Sequence, residues 1–290
     1  MTPELTLWLN GEYQDTTQRH AGGLAHGLHY GTGVFEGIRA YDTATGPAVF
    51  RFDEHLDRMR RGAELLGMSL DVARIKSVTM ELLHRNQHRS AYVRPIAYYG
   101  AGGLKLDMDA LESHVLVATL PWKSHLGDTT KGVSLTASPY RRISHKTLPP
   151  LKFTGIYVTS CVAKRDATKR GFDEALFIDD DGYICEATGE NVFIVKAGQV
   201  IAVEHPDALP GITRATVAEM SNAVFRKVHM EELLDADEVF LTGTSAEVAP
   251  VSALDGHTFT VGPVTLALQA AYQDVVHGRD QQYVRWLTRA

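Results

Sequence analysis

Lys152 is the first residue whose setting could support chemistry. It follows the pair Pro149-Pro150 and precedes the apolar, aromatic stretch that begins at Phe153. Many lysines in such a setting only extend their ammonium group to the surface along an apolar stem. Partial desolvation, however, lowers the pKa of a lysine, and a free amine can form an imine with a carbonyl cofactor. The setting therefore permits a cofactor-binding lysine but is not specific to one.

Two other segments contain groups that can bind phosphate. Ile212 and Thr213 follow a Pro-Gly pair at the start of a predicted helix, where free backbone N–H groups and a hydroxyl lie at the positive helix end. A helix simply capped by Thr213 explains this segment equally well. Thr244 and Ser245, in the segment GTSAE after a predicted strand, offer a second and weaker set of donors.

Two further patterns resemble ligand sites but have simpler explanations. The segment GTGVFEG (31–37) has glycines spaced G-x-G-x-x-x-G and leads into a strand, whereas a dinucleotide loop has G-x-G-x-x-G and opens a helix. His84 and His88 are spaced like metal ligands on a predicted helix, but arginines flank them and no third ligand is apparent nearby. The sequence therefore predicts neither a nucleotide loop nor a metal site.

The composition favours a protein that acts on small molecules. Its 290 residues, 44% of them hydrophobic, suit one large or two ordinary globular domains. A net charge of -6 argues against nucleic acid as a partner. We expect no membrane segment and no secretory signal, because no window approaches the roughly 20 apolar residues of a membrane helix and the start lacks a basic and an apolar region. Cys161 and Cys185 form no C-x-x-C pair, so we expect both to be reduced and the protein to be cytoplasmic.

The elements that would position these residues fall into two groups. In the first, periodicity predicts a helix after Asp53 as N-cap and before Gly67 as C′ residue. A second helix is predicted over residues 71–88. One face of the first helix would carry Leu56, Met59, Ala63 and Leu66, and the predicted strands are 5–9, 34–41, 48–52, 91–99 and 114–120. This order predicts an α+β unit with an antiparallel or mixed sheet.

The pattern starts afresh after residues 121–132, which are rich in polar residues and contain a proline and two glycines. We predict a small α+β domain over residues 1–120, an interdomain linker over 121–132 and a large domain over 133–290. Predicted strands in the large domain are 133–138, 174–179, 183–188, 191–196, 199–203 and 237–243, and predicted helices are 154–170, 212–227 and 263–277.

Taken together, these segments resemble the class IV (fold type IV) aminotransferases, and in particular branched-chain aminotransferases, from about residue 8 to residue 265. A single matching block could be accidental, but eight in the order and spacing of the family identify the chain as similar to it. The blocks are HYGTGVFEGIRAY (29–41), FDEHLDRM (52–59), YVRP (92–95), LPW (120–122), K-x4-Y (152–157), Y-I-x-E-x-x-G-E-N-x-F (183–193), LPGITR (209–214) and F-x-x-G-T-x-A-E-x-x-P-V (240–251).

The resemblance implies a two-domain α+β fold like that of D-amino-acid aminotransferase, with pyridoxal 5′-phosphate (PLP) in the interdomain cleft and residues 121–132 in a lid over the active site. Lys152 would hold PLP as a Schiff base and carry a proton between the substrate α-carbon and the cofactor. Tyr157 would face the cofactor's 3-hydroxyl. Glu186 would keep the pyridine nitrogen protonated, with Glu190 supporting it. The phosphate would be bound by Arg58, Ile212, Thr213 and Thr244.

The resemblance also implies a mainly apolar substrate pocket. Arg94 would receive the distal carboxylate of glutamate, so that glutamate and 2-oxoglutarate form one substrate pair. The partners would be small amino acids and 2-oxo acids, with a homodimer or higher oligomer as the assembly. Substrate-binding residues would be Tyr30, Phe35, Tyr92, Arg94, Trp122, Leu104 and Ser245, with Leu106 on the same loop as Leu104. Departures from the family pattern, which bear on amino-acid preference and not on the cofactor, are His125, Ile156, Phe153 and Lys105.

Two other functions are compatible with these motifs. One is another class IV activity, namely a D-amino-acid aminotransferase, an (R)-amine transaminase or a lyase acting on aminodeoxychorismate, although the YVRP and FEGIRAY blocks favour the branched-chain type. The other is a PLP-binding protein without catalysis. Loss of the lysine, a motif glutamate or the phosphate residues would indicate that function, and all of them are present.

Overall fold

The computed structural model of the protein describes residues 5–18, 22–121, 126 and 131–289. Trp122, His125 and most of the predicted linker lie outside these residues. The chain divides into two compact units, and the first contains Met1–Trp122, Leu151–Ile156 and Val275–Ala290. The second contains Lys123–Pro150 and Tyr157–Asp274. Lys152 thus belongs to a short later segment of the first unit.

The helices and strands follow most of the predicted order. Between residues 5 and 121 they are β1 (Thr6–Leu9), β2 (Glu12–Asp15), α1 (His26–Tyr30), β3 (Gly33–Phe35), β4 (Ile38–Thr43), β5 (Gly46–Phe50), α2 (Phe52–Leu65), α3 (Val72–Arg85), β6 (Ala91–Tyr99) and β7 (Ser113–Leu120). Between residues 131 and 289 they are β8 (Val133–Ala137), α4 (Tyr157–Lys169), β9 (Glu174–Ile178), β10 (Ile184–Ala187), β11 (Asn191–Lys196), β12 (Gln199–Val203), α5 (Ile212–Ser221), β13 (Val224–Arg226), α6 (Met230–Leu234), β14 (Glu238–Gly243), β15 (Glu247–Leu254), β16 (His257–Thr258), α7 (Pro263–Val276), a 3₁₀ helix over Gln281–Trp286 and β17 (Leu287–Arg289).

The sheet of the first unit has the strand order β17-β5-β4-β6-β7-β1-β2, with β3 also paired to β6. Every pairing in it is antiparallel among the described residues. The single strand predicted over 34–41 is wrong, because Glu36 and Gly37 interrupt it and separate β3 from β4. Gly37 is required at this point because a Cβ there would collide with the hydroxyl of Tyr92.

Helix α2 packs its predicted apolar face into the core of the first unit, although its start differs from the prediction. Asp53 lies inside the first turn and is not the N-cap, since Arg51, with a left-handed φ of 46°, precedes the helix and provides no side-chain cap. Gly67 follows the helix with a φ of +76°, as expected for a C′ glycine. The buried residues of the predicted face are Leu56, Met59 and Ala63.

Helix α3 ends at Arg85, so His88 lies beyond it and its ring hydrogen-bonds the hydroxyl of Thr119 at 3.1 Å. His84 and His88 therefore do not share a helix face. Within the described ranges, no group of three or more His, Cys, Asp or Glu side chains is arranged to hold a metal ion. None of the helices in this part of the chain is long and apolar enough to span a membrane.

The sheet of the second unit has the order β10-β9-β8-β15-β14-β11-β12-β13, with β16 paired to β15. It is mixed, since β8 is parallel to both β9 and β15, and β12 is parallel to β13. The helix predicted over 212–227 is too long. Asn222 adopts a left-handed φ of 50° and ends α5, after which Val224–Arg226 form a strand. Asparagine tolerates this conformation better than most residues, which makes it an effective helix stop.

Candidate active site

The backbone around Lys152 is hydrogen-bonded to β3. The amide of Phe35 donates to the carbonyl of Lys152 at 3.1 Å, and the amide of Thr154 donates to the carbonyl of Gly33 at 2.8 Å. Phe153, one of the departures from the family pattern, is buried and forms a bridge with Val34. Ile156, another departure, is also buried. The lysine segment is thus attached to β3 almost as an additional strand.

Two glycines allow this close approach. Gly31 has a φ of +66°, and a Cβ on it would lie 2.5 Å from the Cα of Gly155. Gly155 in turn donates its amide to the carbonyl of Gly31 at 3.2 Å. Only glycine fits such a close backbone contact, which explains why a glycine is present both in the GTG segment and three residues after Lys152.

Two cationic side chains, those of Lys152 and Arg94, lie near the ring of Phe35. Lys152 Nζ lies 5.1 Å from the ring centroid, and the guanidinium carbon of Arg94 lies 4.8 Å from it. Arg94 also lies 5.2 Å from the ring of Tyr92 and donates to its hydroxyl at 3.1 Å. The structure therefore brings together four of the residues predicted from sequence, in one place on the first unit.

Arg94 lacks an anionic partner in the described part of the chain. Its Nε is buried without a hydrogen-bond partner, and its one side-chain hydrogen bond there is to the neutral hydroxyl of Tyr92. A half-buried guanidinium without a carboxylate is costly unless a ligand supplies one. This residue is thus suited to bind an anionic substrate group.

Tyr30 is joined to the loop that carries Leu104 and Lys105. Its hydroxyl donates to the carbonyl of Leu104 at 2.9 Å, and His26 hydrogen-bonds the carbonyl of Lys105 at 2.9 Å. The side chains of Leu104 and Leu106 remain 46% and 77% exposed. The position of this loop therefore depends on α1, a connection that the sequence analysis missed.

Arg58 is buried and is bound by Glu36, which in turn contacts His55, and the sequence analysis identified neither of these two residues as part of the site. Its Nε donates to Glu36 at 2.7 Å and its Nη2 donates to the other oxygen at 2.9 Å. His55 Nδ1 lies 2.8 Å from the same carboxylate. Burial by itself would raise the pKa of Glu36, but Arg58 and His55 outweigh it and hold that pKa well below its usual range. The pKa of His55 is lowered, because burial, together with the nearby Arg58 and Lys152, outweighs the effect of Glu36.

Glu186, in the second unit, is a buried carboxylate with several partners. Arg142 Nε lies 2.7 Å from one oxygen, an ion pair in which the N–H does not point directly at the oxygen. The other oxygen accepts from the amide of Leu209 at 3.0 Å and from Asn191 at 3.3 Å. Arg142 also donates to the hydroxyl of Ser160 at 3.0 Å. Arg142 was missed because only folding brings it to the glutamate.

The segment before α5 leaves the helix start uncapped by a side chain. Gly211 is the N-cap residue and offers no side-chain cap, and Thr213 lies inside the helix, so the simple capping role for Thr213 is wrong. Asn191 packs so closely on Gly211 that a Cβ there would collide with its side-chain oxygen. Ile212 and Thr213 thus occupy the first turn of a ten-residue helix, where backbone N–H groups bind anions.

Thr244 and Ser245 lie in the turn between β14 and β15 and are half-buried. This turn joins two strands. Tyr157 is the first residue of α4 and is half-buried.

Glu190 is a second buried carboxylate of the second unit. Burial first, and then the nearby Glu174, raise the pKa of Glu190 to about 8. Glu174 itself binds Lys164 at 2.8 Å and the hydroxyl of Thr188 at 2.7 Å. Glu190 therefore takes up a proton more readily than a free carboxyl group does.

Comparison with known proteins decides the family. The amino-transferase class IV family matches residues 33–254, more than half of the chain. The protein is a class IV aminotransferase. A curated branched-chain-amino-acid aminotransferase from Pseudomonas aeruginosa is 36% identical over 295 residues, covering 97% of this chain and 96% of that protein. The corresponding protein from Escherichia coli K12 is 33% identical over 296 residues, with the same coverage of both chains.

Solved structures of related aminotransferases have the same fold. The T.th. branched-chain amino acid aminotransferase with pyridoxamine 5′-phosphate has a TM-score of 0.93 and 38% identity, covering 99% of both chains. A structure of the same protein complexed with N-(5′-phosphopyridoxyl)-L-glutamate matches with the same TM-score and identity. The branched-chain aminotransferase from Thermoproteus uzoniensis with norvaline has a TM-score of 0.93 and 33% identity, covering 98% of this chain and 99% of that one. The predicted family and fold type are confirmed.

Proposed function

We propose that this class IV aminotransferase uses PLP to exchange amino groups between branched-chain or related aliphatic L-amino acids and 2-oxoglutarate. The observation that carries the proposal is Arg94, a guanidinium that has no carboxylate partner among the described residues and lies over the same ring as Lys152 Nζ. An amine for the cofactor and a cation for a substrate carboxylate are thus present around one aromatic side chain. The names of the related proteins, all branched-chain aminotransferases, support the same substrate class.

The chain contains groups that match the carbonyl, the pyridine nitrogen and the phosphate of PLP. An amine suited to its carbonyl is present at Lys152, and a buried carboxylate suited to a protonated pyridine nitrogen is present at Glu186. A helix start without a side-chain cap suits its phosphate. In this proposal the phosphate is bound by Arg58, Ile212, Thr213 and Thr244, and Tyr157 faces the 3-hydroxyl.

When bound, PLP supplies the electron sink for bonds broken at the substrate α-carbon. The protein supplies the groups around it. Lys152 binds the cofactor covalently and carries at Nζ the proton that moves between the α-carbon and the cofactor. Glu186 holds a proton on the ring nitrogen through its negative charge. Arg142, Asn191 and the amide of Leu209 fix the orientation of that carboxylate.

Substrate recognition rests on a pocket that serves two kinds of side chain. Phe35 offers an apolar face to an aliphatic substrate, while Arg94, oriented by the Tyr92 hydroxyl, binds the distal carboxylate of glutamate. An aliphatic pocket discriminates between neighbouring side chains by only about 1–3 kcal/mol per methylene, so leucine, isoleucine and valine should all react. Tyr30, Leu104, Ser245 and Trp122 complete the proposed pocket.

Three finer features belong to the same proposal. They are a cytoplasmic location, a lid of which residues 121–132, most of them outside the described residues, form part, and assembly as a homodimer or higher oligomer. Among the large exposed apolar side chains of the first unit, Leu24, Leu28 and Leu106 are more than 60% exposed, and they support an assembly that covers them, since such side chains favour burial. Sedimentation of the purified protein tests the oligomeric state.

A panel of amino donors with 2-oxoglutarate tests the function. L-leucine, L-isoleucine and L-valine should each yield glutamate, whereas D-alanine and (R)-amines should not, and aminodeoxychorismate should release no pyruvate. The Lys152→Ala variant is the matched control for catalysis. Turnover of a polar donor with none of the branched-chain ones would reject the substrate class, and no turnover of any donor would indicate a PLP-binding protein without catalysis.

A further inference from the structure

Glu36, His55 and Arg58 form a buried polar cluster in the first unit. Their exposed fractions are 0%, 2% and 2%. The carboxylate of Glu36 binds Nε and Nη2 of Arg58 with two parallel hydrogen bonds of 2.7 and 2.9 Å. His55 lies 2.8 Å from one of the same oxygens. Buried ion pairs contribute little net stability compared with apolar packing, so this cluster calls for another explanation.

The two parallel hydrogen bonds fix the plane and the direction of the Arg58 guanidinium. A guanidinium is a rigid, planar fork, and a carboxylate bound along its Nε–Nη2 edge directs the N–H groups of Nη1 away from itself. An arginine held in one rotamer loses little further entropy when it binds an anion. Arg58 is thus preorganised by Glu36.

The backbone of Glu36 is connected to the segment that contains Lys152. Glu36 directly follows Phe35, whose amide binds the carbonyl of Lys152, and its own amide donates to the carbonyl of Pro95 at 3.0 Å. The residue is therefore anchored at the end of β3, the strand to which the Lys152 segment is attached. A group that holds Arg58 from this point fixes it relative to Lys152.

We propose that Glu36 is a positioning residue for the cofactor phosphate: it holds Arg58 in the orientation that binds the phosphate, and His55 holds Glu36. This inference rests on the proposed role of Arg58 as a phosphate ligand. Glu36 does not touch the cofactor. Its effect should therefore depend on whether the ligand carries a phosphate group, which a purely structural role would not produce.

The test compares PLP with pyridoxal, which lacks the phosphate. Dissociation constants of both are measured on the full chain freed of its cofactor, for the parent protein and for Glu36→Asp, Glu36→Gln and Arg58→Ala. Glu36→Asp keeps the charge but cannot reach both donors from the same place, and Glu36→Gln removes the charge. We expect both to weaken PLP about ten- to hundredfold, as loss of a charge-assisted hydrogen bond would, and to leave pyridoxal within about twofold.

Glu238→Gln is the matched control, since Glu238 is a buried carboxylate of the second unit that accepts from the amides of Val264 and Thr265 at 3.1 and 2.7 Å. It should lower the thermal stability without changing the ratio of the two dissociation constants. If Glu36→Gln does not fold, Glu36→Asp decides, because it preserves the buried charge balance.

The arms of the experiment separate two kinds of failure. If Arg58→Ala binds PLP as tightly as the parent protein, Arg58 is not a phosphate ligand and that part of the proposed function fails. If Arg58→Ala weakens PLP alone while the Glu36 variants leave both ligands unchanged, the positioning role is overturned. If the Glu36 variants weaken PLP and pyridoxal equally, Glu36 is structural and the proposal is likewise overturned.

Discussion

The amide of Phe35 donates a 3.1 Å hydrogen bond to the carbonyl of Lys152, while Lys152 Nζ lies 5.1 Å from the ring of the same phenylalanine. The backbone contact fixes where the lysine starts, and the ring limits where its amine can go. Phe35 is also the residue on which Arg94 lies. A single residue of β3 thus relates the proposed cofactor amine to the proposed substrate cation.

Gly31→Ala should disturb this arrangement because the new Cβ would lie 2.5 Å from the Cα of Gly155 at a φ of +66°. We expect a loss of about 1–3 kcal/mol in the free energy of unfolding and weaker retention of the cofactor. The matched control is Gly46→Ala, where φ is +114° and no atom lies within 4 Å of the new Cβ. Urea unfolding and dialysis measure the two effects. Equal cofactor retention in both variants would show that the Gly31 contact does not position the lysine.

Lys152→Ala should keep the fold and lose both the covalent attachment of PLP and nearly all turnover. The fold should survive because the segment is held by backbone hydrogen bonds, which alanine also makes. Reduction of the parent protein with borohydride, followed by peptide mass analysis, should locate the cofactor on Lys152. Lys105→Ala, a change on an exposed loop, is the control and should still attach the cofactor. A reduced linkage at any other lysine contradicts the assignment.

The local features of α2 could be predicted from the sequence because they depend on neighbours in the chain. The spacing of Leu56, Met59 and Ala63 gives a helical face, and Gly67 marks its end. The prediction that the second-unit helix α5 continues beyond Asn222 was wrong because the structure there depends on residues distant in the chain. The apolar residues after Asn222 pair with β12, and this pairing is not visible in helical periodicity.

Candidate site residues could be named from the sequence where a family motif contains them, as with Lys152 and Glu186, and their roles stay predictions. The partners that orient these residues were not. Glu36 lies 22 residues from Arg58 in the chain, and Arg142 reaches Glu186 only in the folded second unit. Such pairs depend on tertiary structure, and a single sequence carries no signal for them beyond the presence of charged residues within apolar stretches.

Glu190→Gln should change how stability depends on pH. Burial raises the pKa of Glu190 from 4.5 to about 8, so the folded protein holds a proton there that the unfolded chain releases. The stabilising contribution is complete below pH 4.5 and is lost as pH rises through about 8. We therefore expect the free energy of unfolding of the parent protein, measured against that of the variant, to fall by at least about 1 kcal/mol from pH 5 to pH 9.

Urea unfolding at these two pH values, with the exposed Glu112→Gln as control, measures this difference. The same dependence on pH in the parent protein and in Glu190→Gln would mean that Glu190 is ionised in the folded state throughout this range.

Arg94→Leu should impair the half-reaction with glutamate far more than the half-reaction with leucine. The guanidinium has no carboxylate partner among the described residues, and only glutamate brings a distal carboxylate to it. Loss of a charge-assisted hydrogen bond costs roughly 1.5–3 kcal/mol, which corresponds to about ten- to hundredfold in kcat/KM for glutamate. Leucine should change by much less, since its side chain needs only the apolar face of Phe35.

Tyr92→Phe, which removes the hydroxyl that accepts from Arg94, should give an intermediate loss for glutamate alone. Single-turnover measurements with each amino acid separate the two half-reactions. Losses of equal size for glutamate and leucine would mean that Arg94 binds the α-carboxylate, which both substrates share, or that it supports the fold.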